Sequence, residues 1–284
     1  MFISAYVIGI FLAGLYCLIL EVRRVGSFNG QQLPAWNIAF WDFIQRFGCA
    51  VVVYLLSSML AAEVTKDWNA NEALEPWRIV IIGYAAHGSI LLLLASMFHP
   101  YLRRHLQVNF AESSLVFSVQ RLPITKFFQW GLLSFLAAIP IIFVASAGWE
   151  QVLLFLNNAG FEISMDRQAQ VEMFTEYENL PATILLIVLA VIVAPISEEL
   201  FFRGCVYRYF KGRMPTALAM LASAALFSSI HGNWLAAAPL FILGILLCYA
   251  YERHGNIFVS MAMHGFFNAN TILILFLAPD LDSL

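Results

Sequence analysis

Three short polar clusters interrupt apolar stretches in the last third of the 284-residue chain. They are Glu198-Glu199-x-x-x-Arg203, Phe227-x-x-x-His231 and His264-x-x-x-Asn268. An ionisable side chain at the centre of a membrane helix costs roughly 2.5–3.5 kcal/mol on insertion scales, so such residues persist where they pair, line a watery cavity or do chemistry. Each cluster alone is compatible with ordinary capping or packing. Their concentration in one region favours a shared site.

The first cluster contains one carboxylate with a partner and one without. Glu199 and Arg203 are four residues apart, with the acid on the N-terminal side, as a helical ion pair prefers. Such a pair would support the site from behind the reacting groups. Adjacent helical positions point about 100° apart, so we expect Glu198 and Glu199 to have no common partner. Glu198 is left unpaired within its own helix.

A carboxylate, two imidazoles and an amide together suit hydrolysis by an activated water. Glu198 is the candidate general base, with His231 sharing and orienting the water. His264 and Asn268 are the candidate donors to the developing oxyanion, where preorganised donors matter most. This mechanism needs no cofactor.

Other chemistries remain open from the residues alone. Two histidines and a carboxylate can hold zinc with water as the fourth ligand. The residues for such a site are Glu198, His231 and His264. No His-Glu-x-x-His helix supports this alternative. A serine nucleophile at Ser197 or Ser229 is disfavoured because no suitable Asp–His pair accompanies it, and Cys205 is supported only by its nearness in sequence.

The elements that must position these residues are membrane helices. The chain is 61% hydrophobic and only 12% charged, with a mean hydropathy of +0.79, whereas a soluble domain carries about 25% charged residues. Long apolar runs predict an all-α membrane bundle of about eight transmembrane helices. Their approximate bounds are 2–20, 47–64, 79–98, 130–148, 182–202, 215–232, 235–251 and 256–277.

Basic residues predict the orientation of this multi-pass protein. Most of the 15 lysines and arginines follow spans one, three, five and seven, so the positive-inside rule places both termini outside, with the cell membrane as the expected location. We expect one structural domain with membrane helices over 1–148, an acidic loop or interfacial helix over 149–181, and site-bearing helices over 182–284. Pro34–Phe47 is expected to form an interfacial helix. The net charge of −3 gives no support to nucleic-acid binding.

Helix geometry indicates that the first two clusters can meet. Span five is expected to continue to a turn near 212–215, from which Glu198 and His231 are about equally distant. His264 fits less well, since it rises too little from the preceding turn unless that turn lies deeper or span eight tilts. His87, alone in span three, is expected to have a hydrogen-bonded packing role. The cysteines are expected to be reduced, buried, small apolar residues.

The ordered trio of clusters resembles the motifs of the CAAX-processing and bacteriocin-processing (CPBP, or Abi) family of intramembrane proteases. The stretch Tyr251–Asn256, with Gly244 before it, is similar to the helix and turn that precede the family's third motif. The resemblance covers about 182–277. It implies an eight-helix, glutamate-type endopeptidase with the four catalytic residues named above. Eukaryotic relatives trim prenylated CAAX proteins, and bacterial relatives process peptides or confer immunity to bacteriocins.

Three functions are consistent with these residues. The first is an intramembrane endopeptidase acting on a membrane-associated protein or peptide, prenylated or not. The second is a catalytically silent scaffold or immunity protein that keeps the clusters for packing. The third is a transporter with a proton relay, which would need ionisable groups along a path through several spans. Here those groups cluster, which favours a reaction chamber.

Overall fold

The computed structural model describes residues 2–25, 33–71, 73–98, 122–165 and 179–277. Over these residues the chain forms eight apolar helices, of which seven are long enough to cross a membrane and the sixth is shorter. They are α1 (Phe2–Val25), α2 (Phe40–Val64), α3 (Glu75–Phe98), α4 (Ile124–Asn158), α5 (Leu180–Lys211), α6 (Thr216–Ser229), α7 (Trp234–His254) and α8 (Ile257–Leu277). The predicted all-α membrane bundle is confirmed.

Two predicted boundaries differ from the structure. The interfacial helix expected over Pro34–Phe47 does not form, because α2 already begins at Phe40 and the residues before it are not helical. Trp36 in this segment is buried, and its backbone N–H donates to Arg208 O at 2.9 Å. The segment therefore packs on the end of α5.

Helix α4 is much longer than the predicted span 130–148. It continues through Asn158 because apolar residues continue beyond the span, and Leu153 there is fully buried. The helix thus includes the beginning of the 149–181 segment. The acidic residues between 166 and 178, and the basic residues between 99 and 121 that helped to predict the orientation, lie outside the described residues.

The bundle is organised around α4 and α5. Helix α4 packs against α1, α7 and α8, whereas α5 packs against α3, α6 and α8. Helices α2 and α3 pair with each other. Small residues allow close contacts, as is common in membrane bundles: a Cβ at Gly244 of α7 would lie 2.9 Å from Ala224 of α6. The helices that carry the polar clusters are therefore in mutual contact.

Helix α5 carries the first cluster and is not a regular α-helix. The segments Leu189–Val193 and Glu199–Tyr207 are π-helical, and the α-helical turn Ala194–Glu198 lies between them. π-Helical turns are rare and are frequently found at functional sites. The helix ends at Lys211 and α6 follows after a short turn, as predicted.

A further polar cluster (Tyr207, Lys211 and Glu252), here called the inner-face cluster after the predicted orientation, joins the ends of α5 and α7. Glu252 is fully buried and accepts hydrogen bonds from Lys211 Nζ and from Tyr207 Oη, the latter at 3.1 Å. Lys211 Nζ also donates to Leu33 O at 2.9 Å, just before α2. The ends of α5 and α7 and the approach to α2 therefore lie on one face, as the predicted topology requires.

The four cysteines are free thiols. Cys205 and Cys248 are buried, as expected, whereas Cys17 is half-buried and Cys49 is exposed. The expectation of a buried thiol is wrong for Cys49 because α2 buries little of its surface inside the bundle.

Candidate active site

Glu199 and Arg203 form the predicted ion pair, and both side chains are completely buried. Arg203 Nη1 donates to Glu199 Oε1 at 2.8 Å, and Nη2 donates to Gly244 O at 3.1 Å. The guanidinium also lies over the Phe227 ring, 4.4 Å from its centroid. Buried charges are tolerated when they are paired and hydrogen-bonded. This pair meets that condition and ties α5 to α6 and α7.

One imidazole lies between the two adjacent carboxylates. His264 Nδ1 donates to Glu199 Oε1 at 3.0 Å, and its Nε2 lies 3.9 Å from Glu198 Oε2. The expectation that these carboxylates have no common partner is therefore wrong. The two nitrogens of an imidazole point in different directions, so one ring reaches two side chains that diverge on their helix. The Glu198 side chain is 17% exposed, in contrast to its buried neighbour.

The turn between α7 and α8, which precedes His264 in sequence, is itself buried. Gly255 ends α7 with a left-handed φ of 57°, and Asn256 is only 3% exposed. The Asn256 Oδ1 atom accepts a hydrogen bond from Phe258 N at 2.9 Å, which supports the start of α8.

The second cluster contacts the others mainly through its phenylalanine. The Phe227 ring packs edge-on against His231 and His264, at centroid distances of 4.9 and 5.7 Å. His231 lies just beyond the end of α6, and its Nδ1 donates to Phe227 O at 2.7 Å. No hydrogen bond joins His231 to Glu198 in the described part of the chain. A water shared by these two residues therefore stays a prediction.

The third cluster fastens α8 to the first π-helical segment of α5. Asn268 Nδ2 donates to Ala190 O at 2.8 Å. Gly265 lies against Val191, where a Cβ would come within 2.7 Å of the carbonyl oxygen. A π-helical turn disturbs the regular ladder of backbone hydrogen bonds, and the Asn268 amide supplies a donor there. One amide hydrogen remains for another acceptor.

Three contacting side chains, His87, Ser197 and Tyr54, were not predicted to meet beside this site. His87 of α3 lies with Nδ1 2.7 Å from Ser197 Oγ, and its ring packs edge-on against Tyr54 of α2 at 5.7 Å. Both His87 and Tyr54 interact electrostatically with Glu198. A lone histidine in an otherwise uncharged span was the available signal. The position of α3 along α5, however, could not be predicted from residue spacing.

The alternative zinc ligands do not form a complete set in this structure. Within the described ranges, no three His, Cys, Asp or Glu side chains lie close enough together to hold one ion. His264 Nε2 and Glu198 Oε2 are near each other, but His264 Nδ1 is already bonded to Glu199. Zinc dependence therefore stays a prediction for metal analysis.

Comparison with known proteins points to the same region of the chain. Residues 180–270 match the family described as "Type II CAAX prenyl endopeptidase Rce1-like". Over 104 residues the chain is 31% identical to a curated Escherichia coli protein named "Uncharacterized 24.3 kDa protein". That alignment covers 35% of this chain and 47% of the relative, so the chain spans about half the length of the curated protein that it matches. No solved structure matches the chain. The family match contains all three clusters, which confirms the resemblance to the CAAX-processing endopeptidases that these motifs predicted.

Proposed function

We propose that the protein is an intramembrane endopeptidase in which Glu198 activates a water to hydrolyse a peptide bond. The contrast between two adjacent carboxylates carries this proposal. Glu199 is buried and bonded to Arg203 and His264, whereas Glu198 is partly exposed and lies beside an imidazole. An accessible carboxylate in an otherwise buried polar site is the arrangement that general base catalysis needs.

In the proposed reaction, Glu198 takes a proton from the water as the water oxygen attacks the carbonyl carbon. His231 shares this water: its Nδ1–H is donated to Phe227 O, so Nε2 of the neutral ring can accept a hydrogen bond. The tetrahedral intermediate then collapses and the C–N bond breaks. The proton passes from Glu198 to the leaving amine, which restores the base.

His264 and Asn268 are the proposed donors to the oxyanion. Because His264 donates Nδ1–H to Glu199, its Nε2 donates only in the doubly protonated ring, whose positive charge would lie beside two carboxylates. Asn268 uses one amide hydrogen on Ala190 O and keeps the second. Removing one preorganised oxyanion donor typically costs about 10²–10³ in kcat.

The proposed substrate is a protein or peptide held at the bilayer. The matching family is named for prenyl CAAX substrates, and a lipid next to the scissile bond would concentrate the substrate in the membrane that holds the site. Prenylated peptides are therefore the first substrate class to test, with the unlipidated peptide as the comparison. No cofactor is part of the proposal.

The test uses purified protein in detergent micelles and an internally quenched peptide that ends in a farnesylated CAAX sequence. We expect the wild type to release the C-terminal tripeptide and Glu198→Gln to lose this activity. Cleavage by Glu198→Gln at the wild-type rate would exclude Glu198 as the base. A proteomic comparison of membranes that carry either form searches for other substrates. A non-catalytic scaffold would be favoured if the wild type cleaves neither the farnesylated nor the unlipidated peptide, and if membranes with the wild type and with Glu198→Gln contain the same peptides.

A further inference from the structure

We propose that His87 is a positioning residue of this site and acts on Glu198 through Ser197. The inference rests on the proposed endopeptidase function and adds a residue from outside the matched region 180–270. His87 belongs to α3, in the half of the chain that shows no family match. Its role would make the N-terminal helices part of the catalytic machinery.

One hydroxyl group links the two helices. Ser197 Oγ donates to Ala194 O at 2.9 Å and lies 2.7 Å from His87 Nδ1. A hydroxyl has a single hydrogen, so when it is given to the carbonyl the imidazole is the donor in the second bond. In that tautomer His87 carries its proton on Nδ1, and Nε2 is the unprotonated nitrogen of the neutral ring.

The histidines His87, His231 and His264 share this arrangement. Each is anchored through Nδ1, which fixes its ring orientation and determines which nitrogen is left for other partners. The anchors are Ser197 Oγ for His87, Phe227 O for His231 and Glu199 Oε1 for His264. The anchor of His87 differs from the other two because it directly precedes the proposed base in sequence. The bond thus holds the helical turn that carries Glu198.

The surroundings of His87 are those of the site and not of an ordinary helix contact. Glu198, His231 and His264 all interact electrostatically with His87. In the described part of the structure its Nε2 makes no hydrogen bond to protein, and the half-buried ring has Tyr54 packed against it. The ionisable groups that act electrostatically on His87 are therefore the proposed reacting groups on α5, α6 and α8.

The contact between α3 and α5 is buried and tight at this level. Ser197 is only 1% exposed, and one turn before His87, Gly83 lies directly against Leu189 of α5. Hydrogen bonds in such low-dielectric surroundings are stronger than in water. A small displacement of the base can cost about 10²-fold in rate, so the loss of this bond is expected to appear in kcat.

The experiment compares substitutions at the two ends of the bond, with the farnesylated peptide as the probe. His87→Asn keeps a donor near the Nδ1 position, His87→Phe keeps only a ring, and Ser197→Ala removes the acceptor. Positioning through Ser197 predicts that His87→Phe and Ser197→Ala each lower kcat about 10–100-fold with KM nearly unchanged, and that the unfolding temperature falls only by the modest amount expected for the loss of one neutral hydrogen bond. His87→Asn is expected to keep most of the activity. The double variant is expected to be no slower than either single variant, because both remove the same bond.

Ser89→Ala is the matched control. Ser89 also lies on α3 but bonds to Ser57 of α2 at 2.9 Å, so its substitution is expected to leave kcat unchanged. Wild-type kcat in His87→Phe, a loss in His87→Asn as large as in His87→Phe, or additive losses in the double variant would each overturn the positioning role. Full activity of Glu198→Gln, or a wild type that cleaves neither peptide, would instead overturn the proposed function and this inference with it.

Discussion

Two acid–base clusters each include residues of α5, and they differ in how many of their carboxylate oxygens accept hydrogen bonds. In the inner-face cluster, both oxygens of Glu252 accept hydrogen bonds, from Lys211 and Tyr207. In the site cluster (Glu198, Glu199, Arg203 and His264), Glu199 Oε1 accepts two bonds while its Oε2 has no partner within the described structure. Beside it, Glu198 is partly exposed. A saturated cluster holds helices together, whereas an unsaturated one keeps capacity for water or substrate.

The largest effect is expected where stability and activity depend on the same charge. Arg203→Ala leaves Glu199 buried without its cation, which is expected to lower the free energy of unfolding by about 3–5 kcal/mol. Cleavage is expected to be lost as well, because Glu199 also anchors His264. Thermal unfolding in detergent and peptide cleavage are the measurements. An Arg203→Ala protein as stable as the wild type would contradict a stabilising role for the pair, and Glu199→Ala checks the same pair from the acid side.

Glu198→Gln separates the two clusters most clearly. Its kcat is expected to fall about 10²–10⁴-fold, the range for loss of a general base. Its unfolding temperature is expected to stay at the wild-type value, since no buried cation has Glu198 as its sole counter-charge. A large drop in unfolding temperature would group Glu198 with the structural residues.

Glu252→Ala should show the reverse behaviour. Its removal leaves the Lys211 ammonium buried without a counter-charge, so we expect a loss of about 3–5 kcal/mol in the free energy of unfolding. The kcat, normalised to folded protein, is expected to match the wild type. Reduced kcat in the fraction that remains folded would show that the inner-face cluster also affects the reaction.

Tyr207→Phe is a milder test of the same cluster. It removes one hydrogen bond to Glu252 and no charge, so we expect a loss of about 1.5–3 kcal/mol in the free energy of unfolding. Thermal unfolding beside Glu252→Ala measures the difference. A loss as large as that of Glu252→Ala would mean that Lys211 contributes little to the pairing.

Chelation should have the smallest effect of all. Cleavage by the site cluster is proposed to need no metal, so treatment with a chelator is expected to leave kcat unchanged. Elemental analysis of the treated protein measures how much metal remains. Stoichiometric zinc whose content follows activity would establish the alternative site of Glu198, His231 and His264. Glu198 would then be a ligand, and the contrast with Glu252 would need a different explanation.

Local spacing was sufficient for much of this architecture. Long apolar runs predicted the eight helices, and the four-residue separation of Glu199 and Arg203 predicted their ion pair. The continuation of α5 to a turn near 212–215 was also predicted. These features depend on residues close in sequence, which is the information that periodicity and propensity contain.

Features that depend on helix depth could not be predicted. The buried turn at Gly255 brings His264 to the carboxylates, and the depth of α3 brings His87 to Ser197. Both depend on how neighbouring helices pack. The π-helical segments of α5 were also missed, and the first of them receives a hydrogen bond from Asn268 of α8 to Ala190 O, a partner far away in sequence. Sequence spacing assumes a regular helix and an unknown offset between helices.

Gly265 adds a steric limit to the electrostatic design of the site. Because this position has no side chain, α8 rests directly on the carbonyl of Val191, and the preceding residue, His264, reaches both carboxylates. A methyl group here would force the two helices apart and carry the imidazole away with α8. The distance between α8 and α5, and with it the space left for a water and a peptide bond, therefore depends on the absence of a side chain at Gly265. Even alanine would be too large at this position.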